Sequence, residues 1–275
     1  MRVWDCHCHL RNETGEEVLR ALDAAKVDRV NLFGRYPGEA YGADGEYRRE
    51  ATRESIDQIA EVQATDPERI FGLMWAVPRV PGVLEEIEYA IVDKGLRGIK
   101  LIPDHWSPCD EMMFPIYEKM QELGKPIQFH SGILYGMGDS SRFCQPVLFE
   151  MLVNFPKLRF SMAHISWPWV DECIAVYGRF RAATRGKERP NQMWIDTCRG
   201  TPDGWRLEAL QKAIPFVDGD HLMFGVDGNP SYMPEAAPVH VAKDLAILRD
   251  VMGLSEAQID MFFWGACEKF WGEPA

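Results

Sequence analysis

The sequence predicts an α/β fold, a (β/α)8 TIM barrel formed as a single domain over residues 1–275. Three observations predict it. Eight short runs rich in Val, Ile, Leu and Phe alternate with eight stretches of helical period. The ends of those runs recur at intervals of 25 to 43 residues. Chemistry-bearing side chains stand at many of those ends rather than at one. Brief, continuous apolar runs suit strands buried on both faces of a parallel sheet. Strand alternating with helix implies parallel pairing through right-handed crossovers, and eight such units can close on themselves. An open doubly wound sheet would instead place its ligand at one switch point. The length of 275 residues also matches a barrel of roughly 250.

The strands fall at 2–9 (RVWDCHCH), 28–35, 70–77, 96–102, 126–132, 158–165, 192–199 and 221–228. The first helix, 16–27, places Val18, Leu19, Leu22 and Ala25 on one face. The second, 49–63, does the same with Ile56, Ile59, Ala60 and Val62, and the third with Leu84, Ile87, Ala90 and Ile91. The fourth, 113–124, closes at Gly124, a residue suited to a helix end. Helices are also expected at 143–155, 168–180, 203–213 and 236–252. The basic stretch 179–191 reads as a solvated loop.

Thirty Lys and Arg against 42 Asp and Glu leave a net charge of −12. Such a chain repels phosphate backbones, so nucleic acid is not an expected partner. No apolar run reaches the ~18 residues needed to span a bilayer. The N-terminus, MRVWDCHCHL, carries an acid and two histidines where a signal peptide needs apolar residues. Seven cysteines, an odd number without a CxxC pair, read as reduced thiols. A cytoplasmic protein without membrane partners is the expectation.

The strongest chemical signal is Asp5-Cys6-His7-Cys8-His9. Strand alternation turns Asp5, His7 and His9 one way and Cys6 and Cys8 the other, so the two imidazoles can grip one ion. His130 ends the fifth strand, His164 the sixth and Asp227 the eighth. In a barrel these C-terminal ends converge on one mouth, where barrel active sites lie. Four of the seven histidines thus meet at that mouth. Imidazoles with a carboxylate suit a divalent ion, zinc first and manganese second, with a position open to water. His221, at the opposite face, and His240, in a predicted helix, read as structural. So do Cys144 and Cys173, both in predicted helices.

Arg35, Lys100 and Arg199 end the second, fourth and seventh strands. Cations at the mouth of an acidic chain predict a small anionic substrate, a carboxylate. Arg199 has acids nearby, Asp196 and Asp203, with which it could pair instead. Lys100 shares parity with Gly98 and Ile102 and points inward while Ile99 and Leu101 face the helices. His105 and Trp106 follow strand four and are the loop candidates for substrate contact. Tyr36, Tyr41, Tyr135, Trp167, Trp169 and Tyr232 supply further rings for a pocket wall or for loop packing. The Phe- and Trp-rich segment 261–275 reads either as a homodimer contact or as a cap on the barrel.

The ordered set of motifs resembles the amidohydrolase superfamily, and the wording GLRGIKLIPDHWSPCDEMMFPIYEKMQELGKPIQFHSG resembles its amidohydrolase-2 branch. That branch includes decarboxylases similar to the aminocarboxymuconate semialdehyde enzyme, and lactonases. The resemblance runs from residue 3 to about 270. It implies His7, His9, His130 and Asp227 as metal ligands, Asp227 also as proton shuttle, and His164 as a catalytic residue beside them. Some superfamily members bridge two metals with a carboxylated strand-four lysine, the position of Lys100, but this branch usually lacks that role. The first expected function is hydrolysis of a C–N or C–O bond in a small carboxylate-bearing amide, lactone or ester by metal-activated water. The alternative is metal-dependent non-oxidative decarboxylation of a small aromatic or unsaturated acid. Many decarboxylases of the branch carry Glu in place of the first histidine and are longer, which favours hydrolysis here. A ligand-binding barrel without turnover would be expected to have lost part of the metal set, and none of it is missing.

Overall fold

The computed structural model describes residues 1–37, 49–135, 140–187 and 191–272. Eight parallel strands follow one another in chain order: β1 (Trp4–His9), β2 (Arg29–Phe33), β3 (Ile70–Trp75), β4 (Gly98–Leu101), β5 (Ile127–Phe129), β6 (Phe160–Met162), β7 (Met193–Asp196) and β8 (Leu222–Met223). Backbone bonds from Cys6 N to Phe224 O (3.0 Å) and from Asp227 N to His7 O (2.9 Å) return the last strand to the first. The fold is a (β/α)8 barrel, as the alternation predicts.

Helices α1 (Gly15–Ala25), α2 (Arg49–Thr65), α3 (Val83–Glu88), α4 (Phe114–Glu122), α5 (Val170–Thr184), α6 (Asp203–Ala213) and α7 (Met233–Ala246) surround the strands. Helix α1 shows why such a segment folds locally. Thr14 caps it, its side chain accepting from Glu17 N while the Glu17 carboxylate accepts from Thr14 N, and Val18, Leu22 and Ala25 bury the inner face. One helix departs from expectation. Residues 143–155 form a 3-10 segment, Pro146–Asn154, so buried Cys144 lies before it rather than within a helix.

Two corrections concern the barrel interior. The pairing of β1 with β2 shifts register between Asp5 and Cys8, a bulge that breaks strict alternation. Cys6, expected to face away with Cys8, instead shares a buried cluster with Trp4, Phe71 and Trp194, and Trp4 donates its indole N–H to buried Asn31 (2.9 Å). Asp5 does not join His7 and His9; its Oδ1 accepts from His7 N (3.0 Å) and Val226 N (2.8 Å), tying β1 to the segment after β8. Cys8 packs in the outer apolar core, away from the histidines.

The second correction concerns the C-terminal rings. Helices α8 (Glu256–Asp260) and α9 (Ala266–Trp271), with the π turn between them, carry Phe262, Phe263, Trp264 and Phe270, all buried. Trp264 packs on Trp4 (centroids 5.3 Å), Phe270 on Trp194 (5.5 Å) and Trp271 on Phe71 (5.4 Å). These rings plug the barrel foot through residue 272. They are not the exposed dimer surface the sequence offered as one expectation.

The outer wall holds a buried ionic cluster. Asp244 on α7 is fully buried and accepts from Arg206 Nη2 (2.5 Å) and Nε (3.0 Å) and from Arg199 Nη2 (3.1 Å). Replacing Asp244 by Ala removes the buried carboxylate that Arg206 and Arg199 share. Urea unfolding should show a loss of about 3–5 kcal/mol with the denaturant slope unchanged. A loss under about 1 kcal/mol would mean the cluster relaxes into water.

Candidate active site

His7 sits at the top of β1 with both ring nitrogens committed. Its Nδ1 lies 2.5 Å from Asp196 Oδ2, both side chains being buried. Asp196 is itself held, its Oδ1 accepting from Cys198 N at 2.7 Å. The carboxylate accepts a hydrogen bond from Nδ1–H and leaves the Nε2 lone pair facing the mouth. There His7 Nε2 lies 3.2 Å from His9 Nε2 and 3.5 Å from Asp227 Oδ1, and His9 Nε2 lies 3.7 Å from that same oxygen. Donor atoms about 2.1 Å from one tetrahedral ion are separated by ~3.4 Å. The triangle has that size.

On the other side of Asp227, Oδ2 lies 3.8 Å from His164 Nδ1. His164 Nε2 meets His130 Nδ1 at 3.2 Å, and His130 Nε2 is buried without a hydrogen-bond partner among the described residues. His164 does not end a regular strand. Residues 163–166 turn sharply, with His164, Ile165 and Ser166 at φ of 62°, 48° and 53°, and Asp227 also stands at 58°. Left-handed backbone is unfavourable for such residues and is held only where the surroundings enforce it. Here Thr201 Oγ1 donates to the His164 carbonyl (2.6 Å) and Gly200 lies flat against its ring. A Cβ at Gly200 would come within 2.2 Å of the imidazole.

Cys198 is a residue the sequence reasoning missed. Its Sγ lies 2.8 Å from His164 Nδ1 and 3.2 Å from His7 Nδ1. His7, His164, Cys198 and Asp227 therefore form a second set able to hold an ion, with ligand atoms all within 4.8 Å of one another. The His7–His9–Asp227 triangle is the better cradle, because Cys198 stands on the Nδ1 side that Asp196 already occupies. Burial also pushes the Cys198 thiol up, which favours its neutral form. Asp196 was legible as an acid at a strand end. The predicted strand overran it by three residues and drew attention to Arg199 instead.

The expected substrate-facing residues divide. Lys100 on β4 lines a cavity of about 330 Å3 together with His7, His9, His130, His164 and Asp227. It is fully buried, its Nζ stands 4.3 Å from the centre of the Phe33 ring, and it has no hydrogen-bond partner among the described residues. Burial pulls the ammonium below its ordinary range. Trp75, Ile102, Ile133, Leu134 and Tyr135 complete the walls. Arg199 is a correction. It bonds Asp203 (2.8 Å), Asp244 (3.1 Å) and the His240 carbonyl (3.1 Å), so its charge belongs to the outer cluster. Arg35 is exposed after β2 and does not line this cavity. His105 is exposed and paired with Asp104 (2.5 Å), and Trp106 is buried; both line a neighbouring cavity. Tyr41 lies outside the described residues, and Trp167 packs on Trp205 (5.4 Å).

Burial lowers the imidazoles of His7, His130 and His164, and brings His9 and His240 down from 6.5 to about 4. The unfolded chain therefore binds more protons between about pH 6.5 and 4. Asp5, pushed up to about 8 by burial, acts in the opposite sense, since it keeps a proton that the unfolded chain releases. Five imidazoles outweigh one carboxyl, so stability falls as pH falls through that window. Chelator-treated protein should unfold at a lower temperature at pH 5 than at pH 7. A flat profile would show that these histidines are charged in the fold.

The comparisons with known proteins agree with this geometry. The family model described as Amidohydrolase matches residues 4–272. A 2-keto-4-carboxy-3-hexenedioate hydratase from a Sphingobium species is 26% identical over 201 residues, 61% of this chain and 55% of that protein. The match thus spans about half the length of that relative. Among solved structures, a TIM-barrel protein of Bordetella bronchiseptica superposes with a TM-score of 0.72 at 16% identity, covering 98% of both chains. The 2,6-dihydroxybenzoate decarboxylase from Rhizobium gives 0.68 at 14%, covering 98% of this chain and 99% of that one. A manganese complex of 5-carboxyvanillate decarboxylase from Novosphingobium aromaticivorans gives 0.66 at 17%, covering 92% and 78%. At such identities these structures speak for the barrel alone. The family match over nearly the whole chain carries the assignment: this protein belongs to the amidohydrolase family, in its amidohydrolase-2 branch.

Proposed function

We propose that this chain is a metal-dependent hydrolase that opens a C–N or C–O bond in a small carboxylate-bearing amide, lactone or ester. The observation that carries this reading is the position of Asp227. One of its oxygens meets both Nε2 atoms of the His7–His9 pair and the other faces His164. A base so placed touches the position where an attacking water would stand.

The residues present fit one divalent ion. Three donor atoms stand 3.2 to 3.7 Å apart, Asp196 fixes the orientation of His7, and the buried, unpartnered Nε2 of His130 supplies a further nitrogen lining the same cavity. His7, His9, His130 and Asp227 would hold it, and nitrogen with carboxylate accepts zinc or manganese. When bound, the ion polarises a substrate oxygen and lowers the pKa of water. Asp227 accepts the proton of the attacking water while its oxygen adds to the carbonyl carbon. His164, kept neutral by burial, offers a ring N–H to the oxygen that gains charge. The C–N or C–O bond then breaks, and Asp227 returns the proton to the departing atom. Lys100 anchors the substrate carboxylate, since a buried ammonium without a hydrogen-bond partner among the described residues is satisfied best by an anion.

Non-oxidative decarboxylation is the second reading. It is supported by the apolar wall of Ile102, Ile133 and Leu134, which would disfavour a charged carboxylate and favour neutral CO2. Zinc- or manganese-loaded protein assayed against lactones, amides and aromatic acids should release a titratable acid without CO2. Release of CO2 with net consumption of a proton would establish the second reading instead.

Two variants test the assigned roles. Asp227→Asn should lower kcat by about 10²–10⁴-fold. Lys100→Met should raise KM by at least about tenfold with a smaller effect on kcat, as loss of a charge-assisted contact to a carboxylate requires. An Asp227→Asn enzyme that keeps its ion and its full kcat would remove Asp227 from proton transfer.

A further inference from the structure

Beside the histidine-lined cavity lies a second chamber of about 370 Å3, and Trp75 and Ile102 line both. Each chamber alone is near the lower bound for a small-molecule site, ~300 Å3, whereas the two used together would offer a bipartite one. The Trp75 indole neighbours both halves, with centroids 6.0 Å from His9 and 5.0 Å from Tyr36.

The two chambers ask for different chemistry. The first holds the buried ammonium of Lys100, four imidazoles and Asp227. The second is walled by Tyr36, Trp75, Val77, Pro78, Ile102 and Trp106. Asp104 lies 2.5 Å from His105, and Arg79 donates to the His105 backbone carbonyl. The aromatic and aliphatic part of the wall gains most from apolar ligand surface.

We propose that this second chamber is a specificity subsite that takes an uncharged aryl or acyl arm of the substrate, with Trp75 and Ile102 as the doorway. The inference rests on the reading that Lys100 anchors the substrate carboxylate, and it narrows the substrate class to carboxylates that carry an extended apolar arm. Benzoate fills the first chamber alone, whereas biphenyl-4-carboxylate reaches through the doorway.

Calorimetric titration of the zinc-loaded protein with these two acids tests it. Biphenyl-4-carboxylate should bind at least about tenfold more tightly than benzoate, because its outer ring leaves water. Val77→Trp, which projects a large ring into the second chamber, should sharply reduce that ratio, and Val77→Phe should give an intermediate ratio. Lys100→Met should weaken both acids by a similar factor. Equal affinities in the unaltered protein, or a preference that survives Val77→Trp in a protein of unchanged thermal stability, would overturn the subsite. Since the first comparison needs no variant, it decides even if Val77→Trp fails to fold. If Lys100→Met leaves the affinity for both acids unchanged while Val77→Trp abolishes the preference, the apolar chamber stands and the anchoring role of Lys100 is overturned. If neither acid binds at millimolar concentration, the carboxylate reading falls, and the subsite falls with it.

Discussion

The short contact between Asp196 and His7 is the constraint on which the rest of the site depends. An imidazole has two nitrogens, and a ring free to turn or to change tautomer presents no defined donor to an ion. Asp196 removes both freedoms because it is itself fixed by the backbone N–H of Cys198. The contact joins β1 to β7 across β8, so it exists only in a closed barrel. Closure in turn runs through the bulge of β1, where Asp5 holds the backbone of both His7 and Val226 and where Asp227 N bonds the His7 carbonyl. The left-handed backbone of Asp227 is thus enforced by the same strand that carries the histidines it faces. Strain at a single residue costs of order 1–3 kcal/mol and survives only under that kind of enforcement.

Charge is distributed with the same economy of freedom. The chain carries 42 acids, yet no acid hydrogen-bonds the Lys100 ammonium among the described residues. In the outer wall the opposite holds, for Asp244 receives two guanidinium groups. A buried ion pair is nearly neutral towards a ligand, while a buried lone cation is a strong demand for an anion. The difference between Arg199 and Lys100 is therefore one of partners, not of position along a strand.

Much of this was legible in the sequence, and the limits of legibility have physical causes. Period and spacing show eight strand–helix units because apolar burial on two strand faces leaves a mark in every unit. His7, His9, His130, His164, Asp227 and Lys100 could be placed at one mouth because residue type and strand end suffice for that. The pairing of Arg199 with Asp244 could not, since the acid lies 45 residues away on a helix whose rotation no local pattern specifies. Nor could the bulge of β1, which parts Cys6 from Cys8 against strict alternation. Cys198 escaped notice because a thiol two residues beyond a strand has no periodicity of its own; only the turn after β7 brings it between His7 and His164. Trp75 was within reach, as a ring ending a strand of a barrel faces the mouth.

The position of Lys100 also bears on how the two proposed chemistries would use one site. Decarboxylation destroys the charge of the carboxylate that leaves. A buried ammonium holding that group would stabilise the ground state more than the transition state and slow the reaction. In hydrolysis the carboxylate is a handle and keeps its charge throughout, so the same contact binds both states equally and costs nothing at the chemical step. A decarboxylase built on this framework would have to turn its leaving group away from Lys100, towards Ile133 and Leu134, and give the lysine another oxygen to hold. The substrate that would gain from Lys100 without that rearrangement is one whose carboxylate is retained, which is why the proposed hydrolysis asks less of this lysine than decarboxylation does.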